Sequence, residues 1–233
     1  MPQEKPSAGD TIIFFDVESL PCPEDDPLWL QLLEAMEPDP GETPAELLHR
    51  KVQVHRQTAL FSTLGRPWMI GYAVGSAEPV VCRSSGDPSE EKELLEEFYE
   101  GVKDRGNVWW VGHNIIGYDI PFLQVRALKH GLPGLAKKLA PLRAKPWEVR
   151  ALDTMLLWPR TGADKGAYRD HRLKGLGKLD TICSVLGVEQ QEGTMGPQVY
   201  DAFLAGDSAS VAEHLRLDII QVREVFKRLW PLI

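Results

Sequence analysis

The stretch T-I-I-F-F-D-V-E-S, residues 11–19, joins a short run of β-branched and aromatic residues to two acids. Its apolar part, over 11–17, predicts a buried β-strand. Asp16 and Glu18 are two positions apart, so on a strand both carboxylates point to the same face. Two carboxylates at one place can hold a divalent cation, although a solvated strand end explains the pair equally well.

Two further acids stand in comparable positions. Asp119 lies in G-H-N-I-I-G-Y-D-I-P, residues 112–121, where Pro121 predicts the first turn of a helix that an acid would also cap. In the last predicted helix, near 209–229, Asp218 borders an apolar arc and His214 lies one turn earlier; the arc consists of Val211, Leu215, Ile219, Val222, Phe226 and Leu229. An ordinary His–Asp helix pair is the alternative. Since desolvating an unpaired charge is costly, acids on core-facing positions of several elements predict a bound metal ion.

The order of predicted elements indicates the fold class. Three strands, a helix, a strand, a helix and a strand are followed by closing helices, which predicts an α/β fold with a mixed sheet flanked by helices. We expect one domain over residues 1–233. An acidic, Pro-rich segment at about 24–60, helical from about Pro44 to Leu60, is predicted to be an insertion in it.

Composition narrows the class of protein. With 43% hydrophobic residues in 233, the chain can bury a sizeable core, and no apolar stretch is long enough to span a membrane. The three cysteines have neither zinc-ligand nor disulfide spacing, and the N-terminus has no apolar signal segment, so we expect a cytoplasmic protein. The net charge of −8 hides an asymmetry: residues 1–50 hold 12 acids and 2 bases, whereas 126–178 hold 13 bases and 4 acids. A basic middle segment is compatible with phosphate binding or with a solvated face.

Taken together, F-D-V-E, N-x-x-x-Y-D and the closing x-x-x-D motif resemble the three motifs of the DEDD superfamily of 3′→5′ exonucleases, which have a ribonuclease-H-like fold. The surrounding segments V-G-H-N-I-I-G-Y-D-I-P-F-L-Q-V-R-A, A-L-D-T-M and L-K-G-L-G-K-L-D-T-I-C-S-V-L-G-V resemble the branch related to the proofreading domain of family-B DNA polymerases. The resemblance spans roughly residues 11–230, apart from the acidic insertion.

The resemblance implies hydrolysis with two divalent ions, Mg²⁺ or Mn²⁺. Asp16 would bridge both ions, Glu18 and Asp218 would complete the first site, and Asp119 would hold the second. His214 would orient or deprotonate the attacking water. The chain departs from the family here, because the tyrosine-type subfamily has Tyr with three residues before the last Asp, and the histidine-type has His with four. His214 has the tyrosine-type spacing.

The sequence also offers candidates for substrate contacts. By the resemblance, Ser19 and Leu20 would face the terminal nucleotide. Three residues before Asp119 are candidates for strand contacts or, alternatively, for strand-end packing and turn hydrogen bonds: His113, Asn114 and Tyr118. Candidates for phosphate contacts come from a Gly-rich basic loop: Lys165, Arg169, Arg172 and Lys174. Asp153 and Asp180 stand in D-T pairs at element starts, which favours helix capping.

The favoured function is 3′→5′ hydrolysis at the ends of single-stranded DNA, with a polymerase or repair protein as a partner if the role is proofreading. Two alternatives stay open. The substrate is RNA in one of them, although no residue pattern reads a 2′-hydroxyl. In the other, the chain is an inactive nucleic-acid-binding scaffold, against which the retention of all four acids argues.

Overall fold

The computed structural model describes residues 5–140, 149–159, 177–190 and 198–232. Within these ranges the strands are β1 (Thr11–Leu20), β2 (Arg66–Val74), β3 (Val80–Arg83), β4 (Val108–Gly112) and β5 (Ala151–Asp153). The helices are α1 (Pro27–Glu34), α2 (Pro44–Gln57), α3 (Glu91–Val102), α4 (Asp119–Lys129), α5 (Pro133–Leu139), α6 (Thr154–Leu157), α7 (Leu179–Leu186), α8 (Val199–Leu204) and α9 (Ser208–Leu229).

The strands form one mixed sheet in the order β3-β2-β1-β4-β5. β1 lies at its centre, antiparallel to β2 and parallel to β4, while β3 extends the antiparallel side and β5 the parallel side. Helices flank this sheet, so the predicted α/β, ribonuclease-H-like fold class is confirmed. The central position explains why the β1 sequence is apolar on both faces up to Asp16.

The two faces of β1 pack against different helices. Ile13, Phe15 and Val17 belong to a core that also contains residues of α3, α4 and α5. Phe14 faces the other way and packs with Ile219 and Phe226 of α9, its ring centroid 5.7 Å from that of Phe226. Because side chains alternate along a strand, the face of Phe14 is also the face of the two acids that follow it.

The acidic segment 24–60 holds α1, α2 and a 3₁₀ turn, Thr58–Leu60. The predicted helix from Pro44 is confirmed, and it begins with a capping box between Thr43 and Glu46. The composition of this segment did not predict α1. The buried Trp29 of α1 packs against His55, with the two ring centroids 5.1 Å apart.

Across the described ranges, no helix combines the length and apolar character needed to cross a membrane.

Candidate active site

The C-terminal half of β1 contains two of the predicted acids. Asp16 pairs with Gly71 of β2 and Glu18 with Met69, and both acids share the face that α9 covers. The register of this pairing shifts between Glu18 and Ser19, and pairing resumes at Ser19 with Pro67. Register shifts, which include β-bulges, re-aim side chains, so the site lies where the pairing of β1 with β2 is irregular.

α9 brings the other two predicted groups to the same face. All six residues of the predicted apolar arc are buried, which fixes the rotation of the helix and turns His214 and Asp218 toward β1. His214 Nε2 lies 3.4 Å from Asp218 Oδ2 and 4.0 Å from Glu18 Oε1. The imidazole therefore lies between carboxylates from two different elements, which the helical spacing alone did not predict.

The helix α9 approaches the sheet closely at Gly71, which brings His214 and Asp218 near the acids of β1. Gly71 lies opposite Asp16, and a Cβ atom there would come within 2.5 Å of Ile219 Cδ1 and 2.8 Å of Leu215 Cγ. Any larger side chain would have to displace the Ile219 and Leu215 side chains, which pack α9 against the sheet.

Asp119 is the first residue of α4, and it is buried. Its Oδ1 has no hydrogen-bond partner among the described residues, which is unusual for a buried carboxylate oxygen. The turn that precedes it is held by Asp153, which accepts hydrogen bonds from the backbone N–H groups of Asn114 and Ile116 at 2.9 and 3.2 Å. Asn114 adopts a positive φ of 65° in this turn.

The four acids perturb one another. Burial, reinforced by the charge of Asp218, raises the pKa of Asp16 to about 7. Burial and then the charge of Asp180 raise the pKa of Asp218 to about 7. For Glu18 and Asp119, burial followed by the charge of Asp16 holds the pKa well above the usual value. Without a cation, part of this cluster therefore carries protons at neutral pH.

His214 responds in the opposite sense. Burial lowers the pKa of its imidazole below 6.5, although the charges of Asp16 and Asp180 oppose that shift. The ring is therefore largely neutral at pH 7, and a neutral ring nitrogen can accept a proton.

The donor set fits a hard divalent cation. Within the described ranges, no group of three or more His, Cys, Asp and Glu side chains is already arranged as a coordination shell. Carboxylate oxygens are nevertheless the ligands that Mg²⁺ and Mn²⁺ prefer. Asp119 Oδ1, which is buried and accepts no hydrogen bond among the described residues, is free to bind such a cation. A cation bound between these carboxylates would offset their mutual repulsion and displace the protons that they share.

The residues predicted to contact the substrate lie in different environments. Ser19 is half-buried, and its hydroxyl lies 2.6 Å from that of Tyr118 and donates to Ala59 O at 2.9 Å. The structure contradicts the predicted nucleotide contact of Leu20, because this side chain is fully buried in the cluster of Trp68, Met69, Val199, Val211 and Leu215. The four loop residues Lys165, Arg169, Arg172 and Lys174 lie outside the described residues.

The residues before Asp119 are mostly engaged within the protein. The two ring nitrogens of His113 lie 2.9 Å from Thr154 Oγ1 and 2.9 Å from Gly177 O, so neither is available to a nucleic-acid strand. Tyr118 is half-buried, and its hydroxyl reaches Ala59 O at 3.1 Å. For these two residues the structure supports packing and turn hydrogen bonds. Asn114 is half-buried, and its contact with a substrate stays a prediction.

Sequence reasoning missed two contributions to this region. Asp153 was correctly predicted to cap a helix, since it accepts a hydrogen bond from Met155 N at 2.9 Å. It also accepts one from Asn114 N, and this contact depends on the pairing of β4 with β5, which the sequence did not predict. Ala59 was not singled out at all. The insertion folds back onto the end of β1, so that the Ala59 carbonyl accepts hydrogen bonds from Ser19 and Tyr118. No local sequence pattern predicts this contact.

A protein-family model matches residues 76–231, about two thirds of the chain, and describes a predicted 3′-5′ exonuclease related to the exonuclease domain of PolB. The matched segment contains Asp119, His214 and Asp218, while Asp16 and Glu18 precede it. No curated protein matches the chain. By this match over most of its length, the chain belongs to the family of predicted 3′-5′ exonucleases related to the PolB exonuclease domain.

Proposed function

We propose that this protein hydrolyses phosphodiester bonds at the 3′ ends of single-stranded DNA, using two divalent ions, Mg²⁺ or Mn²⁺. The observation that carries the proposal is the convergence of β1, α4 and α9. These elements bring buried or half-buried acids with raised pKa values to one face, with His214 Nε2 at 3.4 Å from Asp218. Perturbed carboxylates gathered around a neutral imidazole are typical of a catalytic site.

The residues divide into ion-holding and proton-holding groups. Asp16, Glu18 and Asp218 would hold one ion, and Asp119 together with Asp16 the second. When bound, the two ions supply an acidified water and stabilise the charge that develops on the departing 3′ oxygen.

His214 would hold the attacking water in line and take up its proton. Its ring is neutral near pH 7 because burial lowers its pKa, and Asp218 beside it stabilises the imidazolium once the proton is transferred. A tyrosine at this position could only orient the water, since a phenol holds its proton at neutral pH. The histidine therefore gives this site a general base.

A polarity assay tests the proposal. Single-stranded DNA and RNA of the same sequence, each labelled at the 5′ end, are incubated with the protein in Mn²⁺ and in EDTA. We expect a DNA ladder that shortens from the 3′ end and disappears in EDTA. Faster shortening of RNA would assign the exoribonuclease alternative. Binding of both strands without cleavage would leave the scaffold alternative.

A further inference from the structure

The insertion and α8 enclose a groove of about 630 Å³ next to the candidate active site. Its lining includes Ser19, directly after Glu18, and the start of α8 as far as Asp201. The groove is connected to the site by hydrogen bonds, because Ala59 O, in the groove wall, accepts from Ser19 Oγ at 2.9 Å and from Tyr118 at 3.1 Å. Tyr118 is the residue before Asp119.

The lining of this groove is rich in neutral amides. Gln53 and Gln57 are four positions apart on α2 and therefore share one helix face. Gln198, at the start of α8, lines the same groove. All three are exposed, and in the part of the chain that the structure describes their side-chain amides have no hydrogen-bond partner. Amide groups donate and accept at once, which matches the edges of nucleobases.

The groove also offers surfaces for stacking. The Tyr200 ring lines it, with the Arg56 guanidinium carbon 5.5 Å from the ring centroid. Leu60, in the 3₁₀ turn beside Ser19, is 64% exposed. Aromatic, guanidinium and apolar surfaces next to hydrogen-bonding groups are typical of proteins that bind unpaired bases.

The charge of the lining favours bases over phosphates as the bound groups. Among the described residues of this lining, the charged members are Arg56 and Asp201, which form an ion pair at 2.8 Å and neutralise each other. A lining whose described part has no net charge would hold bases, and the phosphates of the same strand would face outward to solvent.

A neighbouring groove of similar volume has a different character. It lies on the other side of Arg56 and Tyr200 and is lined by Leu33, Leu48, Val52 and Leu204 among others. It does not include Ser19, and its walls are more aliphatic. The amide-lined groove is therefore the one that continues from the candidate active site.

We infer that the groove between α2 and α8 binds the unpaired bases that precede the 3′-terminal nucleotide, with Gln53, Gln57 and Leu60 as base-contacting residues. The inference rests on the proposed function. Leu60, which is exposed in the groove wall, would contact a preceding base and not the terminal nucleotide.

Two measurements on the full chain test this inference. The first is the Kd of a fluorescein-labelled 12-nucleotide dT strand in EDTA, where hydrolysis is prevented. The second is the rate of hydrolysis of the p-nitrophenyl ester of thymidine 5′-phosphate in Mn²⁺, a substrate that has a terminal nucleotide and no preceding bases. The variant is Gln53→Ala/Gln57→Ala/Leu60→Ser, which changes exposed side chains. Leu48→Ser is the matched control, since Leu48 is 63% exposed on the same helix and lines the other groove.

We expect the triple variant to raise the Kd about tenfold, the loss of roughly one stacked base, with ester hydrolysis unchanged and Leu48→Ser like the wild type. An unchanged Kd in the triple variant, or a wild type that does not bind the strand, would overturn the inference. If the variant weakens binding but no form of the protein hydrolyses the ester, the proposed function fails and the groove assignment stands.

Discussion

His214 is the residue in which this chain departs from both patterns of the superfamily it resembles, and its environment makes the departure testable. Burial lowers the pKa of the imidazole below 6.5. Because the neutral form is the base, activity should be level from pH 6.5 to 8 and fall as the pH drops through this lowered pKa. The rate of 3′ trimming between pH 5 and 8 measures this.

A His214→Gln variant separates this effect from titration of the carboxylates. We expect it to lose about 100-fold in rate, the lower range for removal of a general base. The residual rate of this variant should not show the fall at low pH (the acid limb of the pH profile) that protonation of His214 causes. A residual activity with the same acid limb as the wild type would show that the limb belongs to the carboxylates and that His214 is not the base.

Residue patterns predicted this part of the site well. The alternation of β1 placed Asp16 and Glu18 on one face, and the helical period of α9 placed Asp218 at the edge of a buried arc. Leu20 was assigned wrongly because its exposure depends on how the closing helices cover the end of β1. Local periodicity carries no information on such long-range packing.

At the scale of elements, the contact between β2 and α9 controls the geometry of the site. A Cβ at Gly71 would lie 2.5 Å from Ile219 Cδ1 and 2.8 Å from Leu215 Cγ, so Gly71→Ala must displace these two α9 side chains. We expect α9, with His214 and Asp218, to shift with them. We expect a loss of about 1–3 kcal/mol in the free energy of unfolding and a clear loss of trimming activity. Urea denaturation and the trimming assay measure the two effects.

Gly106→Ala is the matched control for this substitution, because a Cβ at Gly106 would meet no atom within 4 Å. It should leave stability and activity close to the wild type. If Gly71→Ala behaves in the same way, the close approach of α9 to the sheet does not position the site.

A buried ion pair joins α3 to α4, the helix that carries Asp119. Arg126 Nε and Nη2 donate to the two carboxylate oxygens of Glu91 at 2.5 and 2.6 Å, and both side chains are at most 3% exposed. Glu91→Gln keeps the shape but leaves the guanidinium without a counter-charge. We expect a loss of about 3 kcal/mol in urea denaturation. Glu96→Gln, in an exposed pair with Lys92 on the same helix, should cost less than about 1 kcal/mol.

The same pair predicts acid sensitivity. Burial alone would raise the pKa of Glu91, but the hydrogen bonds and charge of Arg126 outweigh it, and the pKa lies below 4.5. A lowered folded-state pKa gives stability that is present above pH 4.5 and is lost as the pH falls through the folded value. The wild type should lose stability on acidification below pH 4.5 more steeply than Glu91→Gln. Parallel curves would contradict this contribution.

At the scale of the whole molecule, the insertion is tied to the rest of the protein. His55 Nε2 lies 2.9 Å from Cys22 O, and Arg56 pairs with Asp201 of α8 at 2.8 Å. We therefore expect one cooperative unfolding transition, with tryptophan fluorescence and far-UV circular dichroism coinciding in urea. An early fluorescence transition, as Trp29 of α1 becomes exposed, would instead indicate an insertion that unfolds independently.

The fold class was accessible from the sequence because strand and helix periods alternate clearly from Thr11 to Leu229. The path of the insertion was not, since its contacts with Ser19 and α8 join residues far apart in the chain. The path of the insertion forms the groove beside Ser19, where we propose that single-stranded DNA binds, so this groove became visible only in the structure.

In the function that we propose, acids from β1, α4 and α9 form one metal-dependent hydrolytic site. The most direct measurement is the initial rate of 3′ nucleotide release from single-stranded DNA in Mn²⁺ by Asp16→Asn, with Asp104→Asn, an exposed acid, as control. We predict a fall of about a thousandfold or more for Asp16→Asn, with its fold retained by circular dichroism, and no change for Asp104→Asn. A rate for Asp16→Asn within a few-fold of the wild type would contradict the account.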